Sequence, residues 1–190
     1  MDGIGQSAGN LDIGSGILRD YTPSIQQIAM DLDPNWVVGF VDGEGCFHVS
    51  LNKHDEMTTG FQVLPEFVVV QHERDVQLLH SMKRFFRGGV VRRNHGDRFC
   101  LRIRKFDLLV ECCEFFVQYP LRSKKAVDFA MFRRVIQAMV DRKHLSIGGL
   151  VDIVDVVSRM NTADRPRLDE IRSQLDKEIV RAGVKASGTS

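Results

Sequence analysis

Between Trp36 and Leu51 the chain changes its hydrophobic period within four residues, Asp42-Gly43-Glu44-Gly45. Upstream, Asp33-Pro34 reads as a helix start, with Asp as N-cap and Pro at the first helical position. Trp36, Val37, Val38, Phe40 and Val41 carry an apolar helix on to Gly43. Downstream, Phe47, Val49 and Leu51 alternate with Cys46, His48, Ser50 and Asn52, the period of a half-buried strand. Gly39 and Gly43 are four residues apart and share one helix face, where the lack of side chains admits a second helix at close range. Glu44, between two glycines, has the chemistry of a Mg²⁺ ligand: hard divalent ions take oxygen, often from only one or two carboxylates, and fill the shell with water and phosphate. An ordinary cap and turn is the competing reading of the same four residues.

The elements around this junction define the fold class. Residues 1–22 are rich in Gly and Ser, and residues 23–30 suggest a short helix, so residues 1–32 are expected to form a loosely ordered arm. Residues 62–71 form a second strand, in which Pro65 calls for an edge or a bulge. Residues 73–87 are an amphipathic helix ended by Gly88-Gly89, and residues 90–94 and 98–104 pair as a hairpin around His95-Gly96-Asp97. Helices follow over 107–119, to a break at Pro120, and over 122–143, 147–161 and 167–182. The order αββαββα predicts an α+β core over 33–145, an antiparallel four-stranded sheet with helices on one face, followed by a helical extension over 146–190. A chain of 190 residues, 43% hydrophobic, suits one such domain with extensions.

The second sheet face then meets water or a ligand, and its composition selects between them. Strand parity puts His48, Ser50, Asn52, Gln62, Glu66, Arg92, Asn94, Arg98, Arg102 and Arg104 on that face, with Arg93 breaking the pattern. From Lys83 to Lys105 there are nine cations (Lys83, Arg84, Arg87, Arg92, Arg93, Arg98, Arg102, Arg104, Lys105) against Asp97 alone, on a chain whose net charge is only +1. The molecule is therefore strongly polarised. Arg suits bidentate contact with guanine and Asn or Gln with adenine, so these residues are the candidates for reading DNA from a groove. Cys46, Cys100, Cys112 and Cys113 lack metal-ligand spacing, which argues against a zinc site or a disulfide framework. There is no run long enough to span a membrane and no signal peptide, so the expectation is a soluble protein in a reducing compartment.

The stretch 37–45, VVGFVDGEG, closely resembles the signature nonapeptide of the LAGLIDADG homing endonucleases. The element order after it is similar to that family's domain. So is YPLRSKKAVDF (119–129), which resembles the segment carrying a basic active-site residue. The resemblance covers about residues 33–145, and a second copy of the motif is absent from the sequence. It implies a homodimer whose signature helices pack across a two-fold axis through Trp36, Gly39, Phe40 and Gly43. It implies further that Glu44, with the Gly43 carbonyl, holds metal at one of two adjacent active sites. Gln71 would position water and Lys124 would assist the nucleophile or stabilise charge, with Lys125 as the alternative to Lys124. The sequence departs from the family pattern in having Glu at the acidic position and no basic residue just after Gln71, for which Arg74 or Arg93 would substitute.

The function so implied is a site-specific, intron-encoded double-strand DNA endonuclease with a long, nearly palindromic target. Mg²⁺ is the expected cofactor, with Mn²⁺ substituting and Ca²⁺ supporting binding without cleavage. An RNA-binding intron maturase and a non-cleaving DNA-binding relative are the alternatives. The implied setting is a bacterial cytoplasm or an organelle.

Overall fold

The computed structural model describes residues 31–161 and 166–187, so the arm expected at the N-terminus lies almost wholly outside the described residues. The elements are α1 (Pro34–Glu44), β1 (Gly45–Lys53), β2 (Phe61–His72), a 3₁₀ turn (Glu73–Asp75), α2 (Val76–Phe85), β3 (Val90–Arg93), β4 (Arg98–Ile103), α3 (Phe106–Gln118), α4 (Lys125–Val140), a second 3₁₀ turn (Lys143–Leu145), α5 (Ile147–Val157) and α6 (Pro166–Ser187). The expected α+β order holds. The four strands form one antiparallel sheet in the order β1-β2-β4-β3.

Local chemistry explains the elements. Asp33 caps α1 by accepting from the Asn35 N–H at 2.9 Å and the Trp36 N–H at 3.1 Å. Pro65 sits within a central strand, which looks forbidden for a residue without an N–H. The register resolves this: Pro65 faces Val49 of β1, but β4 ends at Ile103 opposite Phe67, so β2 has a neighbour on one side only at Pro65. Two helix boundaries differ from the expected ones. Residues 73–75 wind as 3₁₀ before α2 begins. The long helix starts at Lys125 rather than at residue 122.

The core fills the space between one sheet face and the helices. Phe47 of β1 is its hub, with ring centroids 5.2 Å from Phe67, 5.5 Å from Phe116, 5.2 Å from Phe129 and 5.3 Å from Phe132. The same apolar cluster continues into Leu150, Ile153 and Val157 of α5 and Leu168, Ile171 and Leu175 of α6. Asn161, in a left-handed conformation (φ 50°), clamps the end of this layer. Its side-chain amide donates to the Phe47 carbonyl at 2.9 Å, and its N–H donates to Asp128 at 3.0 Å. Phe47→Ala is expected to cost about 3–5 kcal/mol, since it opens a cavity that four rings cannot all refill. Urea denaturation should show the midpoint falling with an unchanged slope.

Candidate active site and nucleic-acid interface

The helix-to-strand junction is built on close backbone approach. Gly45 is extended (φ −76°, ψ 157°) and its N–H returns to the Val41 carbonyl. A Cβ there would lie 2.6 Å from Val41 Cγ1 and 2.9 Å from Val41 O, so glycine is required for clearance. Glu44, the last residue of α1, is exposed, and its carboxylate makes no hydrogen bond or ion pair among the described residues.

Its neighbour Asp42 is fully engaged. The Asp42 carboxylate accepts from the Arg122 N–H at 2.8 Å, the Ser123 N–H at 3.2 Å and the Ser123 hydroxyl at 2.8 Å. Burial opposes its ionisation, but these donors and the Lys125 charge outweigh it and hold the carboxyl below the usual carboxylate range. Ser123 Oγ also accepts from the Lys125 N–H at 3.2 Å. The Lys125 ammonium then donates to the carbonyls of Gly45 and, at 3.4 Å, of Gly43. Of the two lysines left open by the sequence, Lys125 is thus the one carried to the junction, while Lys124 is exposed at the helix start.

Asp42 was not singled out in the sequence, yet it carried a signal. An anion in the last turn of a helix opposes the helix dipole, and α1 has no basic residue in its last turn to offset it. Such a residue needs partners from elsewhere in the chain.

Gln71 lies two residues beyond Val69, the partner of Gly45, so it stands at the end of β2 on the junction side of the sheet. Arg93 and Arg74, the candidate extra cations, are occupied in the adjoining turns. Arg93 donates to the Gly96 carbonyl at 2.6 Å, pairs with Glu73 at 3.4 Å and lies over the Phe99 ring, while Arg74 pairs with Asp75 at 3.3 Å.

The register puts the expected open-face residues together. His48 lies opposite Glu66, Asn52 opposite Gln62, Val68 opposite Arg102, Arg92 opposite Cys100 and His72 opposite Arg98. Ser50 faces Leu64 on the same side, and Asn94 and Arg104 extend β3 and β4 by one residue. Arg93 pairs with Phe99 on the opposite parity, which explains its break in the pattern. On the outer side of α1, Trp36 and Phe40 stack with centroids 4.9 Å apart, and Trp36 is 43% exposed. Nothing lies within 4 Å of a Cβ built at Gly39 or Gly43.

The donor set at the junction is hard: the free Glu44 carboxylate and the Gly43 carbonyl. Among the described residues no group of three or more His, Cys, Asp or Glu gathers to hold a metal ion. One carboxylate per chain, completed from outside, fits Mg²⁺ and does not fit a closed structural site.

The family model described as LAGLIDADG endonuclease matches residues 37–136, from the first half of α1 into α4. The chain belongs to the LAGLIDADG endonuclease family. It superposes on the crystal structure of the homing endonuclease I-TnaI with a TM-score of 0.75 and 50% sequence identity, over 77% of this chain and 99% of that one. It matches I-SmaMI bound to uncleaved DNA target in the presence of calcium ions with a TM-score of 0.73 and 32% identity, over 76% of this chain and 50% of that one. The DNA endonuclease I-CeuI of Chlamydomonas moewusii is 25% identical over 123 residues, 62% of this chain and 56% of that protein. "Probable intron-encoded endonuclease 3" of Neurospora crassa is 28% identical over 131 residues, 66% of this chain but 24% of that protein. The LAGLIDADG chain thus spans about a quarter of the length of several curated relatives it matches. Among its described residues no helix is long and apolar enough to cross a membrane.

Asp42→Ala should lower stability by about 1–3 kcal/mol at neutral pH, since it removes the charged acceptor of three hydrogen bonds. Because the folded carboxyl titrates below its ordinary 3.8, its contribution is complete above that value and disappears as pH falls further. Denaturation midpoints of wild type and Asp42→Ala should therefore converge in acid and separate above pH 5 or so.

Proposed function

We propose that this LAGLIDADG chain is a site-specific double-strand DNA endonuclease that hydrolyses phosphodiester bonds as a homodimer. One observation carries the reading: the unpartnered Glu44 carboxylate stands with the Lys125 ammonium at one end of an arginine-rich open sheet. I-CeuI, named a DNA endonuclease, and the DNA-bound I-SmaMI support the substrate class. The chain spans half of I-SmaMI, the relation expected if two such units make one DNA-binding whole.

In this reading Glu44 of each protomer and the Gly43 carbonyl hold a divalent ion, Mg²⁺ or in its place Mn²⁺. Ca²⁺ supports DNA binding without cleavage. When bound, such an ion neutralises phosphate charge and lowers the pKa of its water. Lys125 stabilises charge that develops on the phosphate. Gln71 orients water at the strand end, and Lys124 contacts the backbone beside it. His48, Ser50, Asn52, Gln62, Arg92, Asn94, Arg98, Arg102 and Arg104 face the DNA, where phosphate contacts give affinity and base contacts give specificity. The uncovered stripe Trp36, Gly39, Phe40 and Gly43 packs against its two-fold copy, which brings two Glu44 carboxylates together. The target is then long and nearly palindromic.

Glu44→Gln keeps size and hydrogen-bonding capacity but removes the metal-holding charge. Cleavage of DNA spanning an intronless insertion site should fall on the order of 10²-fold or more. Binding of that DNA in Ca²⁺, read by gel shift, should survive. Gly39→Leu has room within the protomer, so the monomer should fold normally. Sedimentation should show a weakened dimer and cleavage should fall with it. A wild type that is monomeric at micromolar concentration contradicts the dimer.

A further inference from the structure

Glu66 is the sole acidic residue in the four strands. It lies on the open face with its side chain only 12% exposed, between Arg104, whose Nε is 2.7 Å from Glu66 Oε2, and Arg102, whose Nε is 3.5 Å from the same oxygen. A carboxylate so withdrawn from water needs compensation, and here two arginines provide it. The dependence is mutual. Arg102 Nε is itself buried, makes no hydrogen bond and has the Glu66 carboxylate as its ion-pair partner. Both guanidinium groups thus meet the carboxylate through Nε rather than through their outer Nη pair. These two arginines, with Arg87, Arg92 and Lys105, line a recess of about 480 Å³ beside β3.

We propose that Glu66 is a positioning residue for sequence recognition, which holds Arg104 by a hydrogen bond and Arg102 by an ion pair, both at Nε, so that their Nη edges read guanine. The proposal rests on the DNA-endonuclease reading above. The guanidinium fork matches guanine O6 and N7 only when its plane is held; a loose arginine takes the nearest phosphate instead. Glu66 supplies the restraint and also lowers the positive field of the face by one charge. It therefore trades non-specific affinity for discrimination.

The test uses the full chain in Ca²⁺ with a pool of duplexes of randomised sequence, from which bound DNA is recovered and sequenced. The wild type is expected to enrich guanine at two neighbouring positions in each half-site. Glu66→Gln should lose that enrichment at both, while its affinity for unselected duplex is kept or rises by about two- to tenfold, since the face gains a net positive charge. A merely structural role would weaken binding to all DNA together. Retention of the same guanine positions in Glu66→Gln overturns the proposal, as does a uniform loss of affinity that leaves the recovered sequence pattern unchanged. Glu66→Asp keeps the charge, and so the counterion of Arg102, but withdraws the carboxylate by one methylene. Its pool should show weakened guanine enrichment, and a pool identical to wild type overturns the proposal even where Glu66→Gln fails to fold. A wild type that enriches no sequence overturns the underlying reading itself, which separates the two failures.

Discussion

The three hydrogen bonds accepted by Asp42 hold the site together. Without them the end of α1 and the start of α4 are distant in sequence, with more than 70 residues of sheet and helix between them. With them, Ser123 becomes a shared partner of Asp42 and the Lys125 backbone, and the Lys125 side chain falls on the junction carbonyls. A carboxylate at a helix C-terminus is unfavourable on its own. Here it is compensated by the Arg122 and Ser123 N–H groups of the segment that leads into α4. The two adjacent acids of the junction thus divide their duties: Asp42 is consumed by the fold, and Glu44 is left free.

The rest of the molecule gives that arrangement a rigid base and a directional field. Phe47 follows Gly45 by two residues, and its four ring partners come from β2, α3 and α4. The junction therefore cannot shift without disturbing the densest part of the core. On the other side of the sheet Arg92, Arg98, Arg102 and Arg104 collect on a chain that is nearly neutral in sum. The separation of charge lets one face attract a polyanion while the protein as a whole remains weakly charged.

Much of this was legible in the sequence because it depended on period and parity. The alternation of Phe47, Val49 and Leu51 fixed which side of β1 is buried, and the same parity placed Arg98 and Arg102 on the open face. What escaped were contacts between residues far apart in the chain. Asp42 gave only the indirect sign of an acid at a helix end, and two of its three donors are the Arg122 and Ser123 N–H groups, which carry no residue signature. That Lys125 reaches the Gly43 and Gly45 carbonyls was equally hidden, because both are backbone acceptors some 80 residues away in the chain. Pro65 signalled an edge correctly in substance, although the strand is central: the edge is created by the early end of β4. Glu66 was readable as a face residue, but its two arginines converge on one oxygen only through the register of β2 against β4.

Asn161 gives the C-terminal helices a role that their amphipathic pattern alone would not suggest. β1 is an outer strand of the sheet, and Asn161 donates to its Phe47 carbonyl. An uncovered outer strand of alternating Phe, Val and Leu is a template on which another chain can add. By donating to that carbonyl and to Asp128 of α4, Asn161 ties the segment that follows α5 to both the outer strand and the core helix. A chain shortened before this residue would retain every group of the junction and the open face, yet it would leave this outer-strand carbonyl without its side-chain donor.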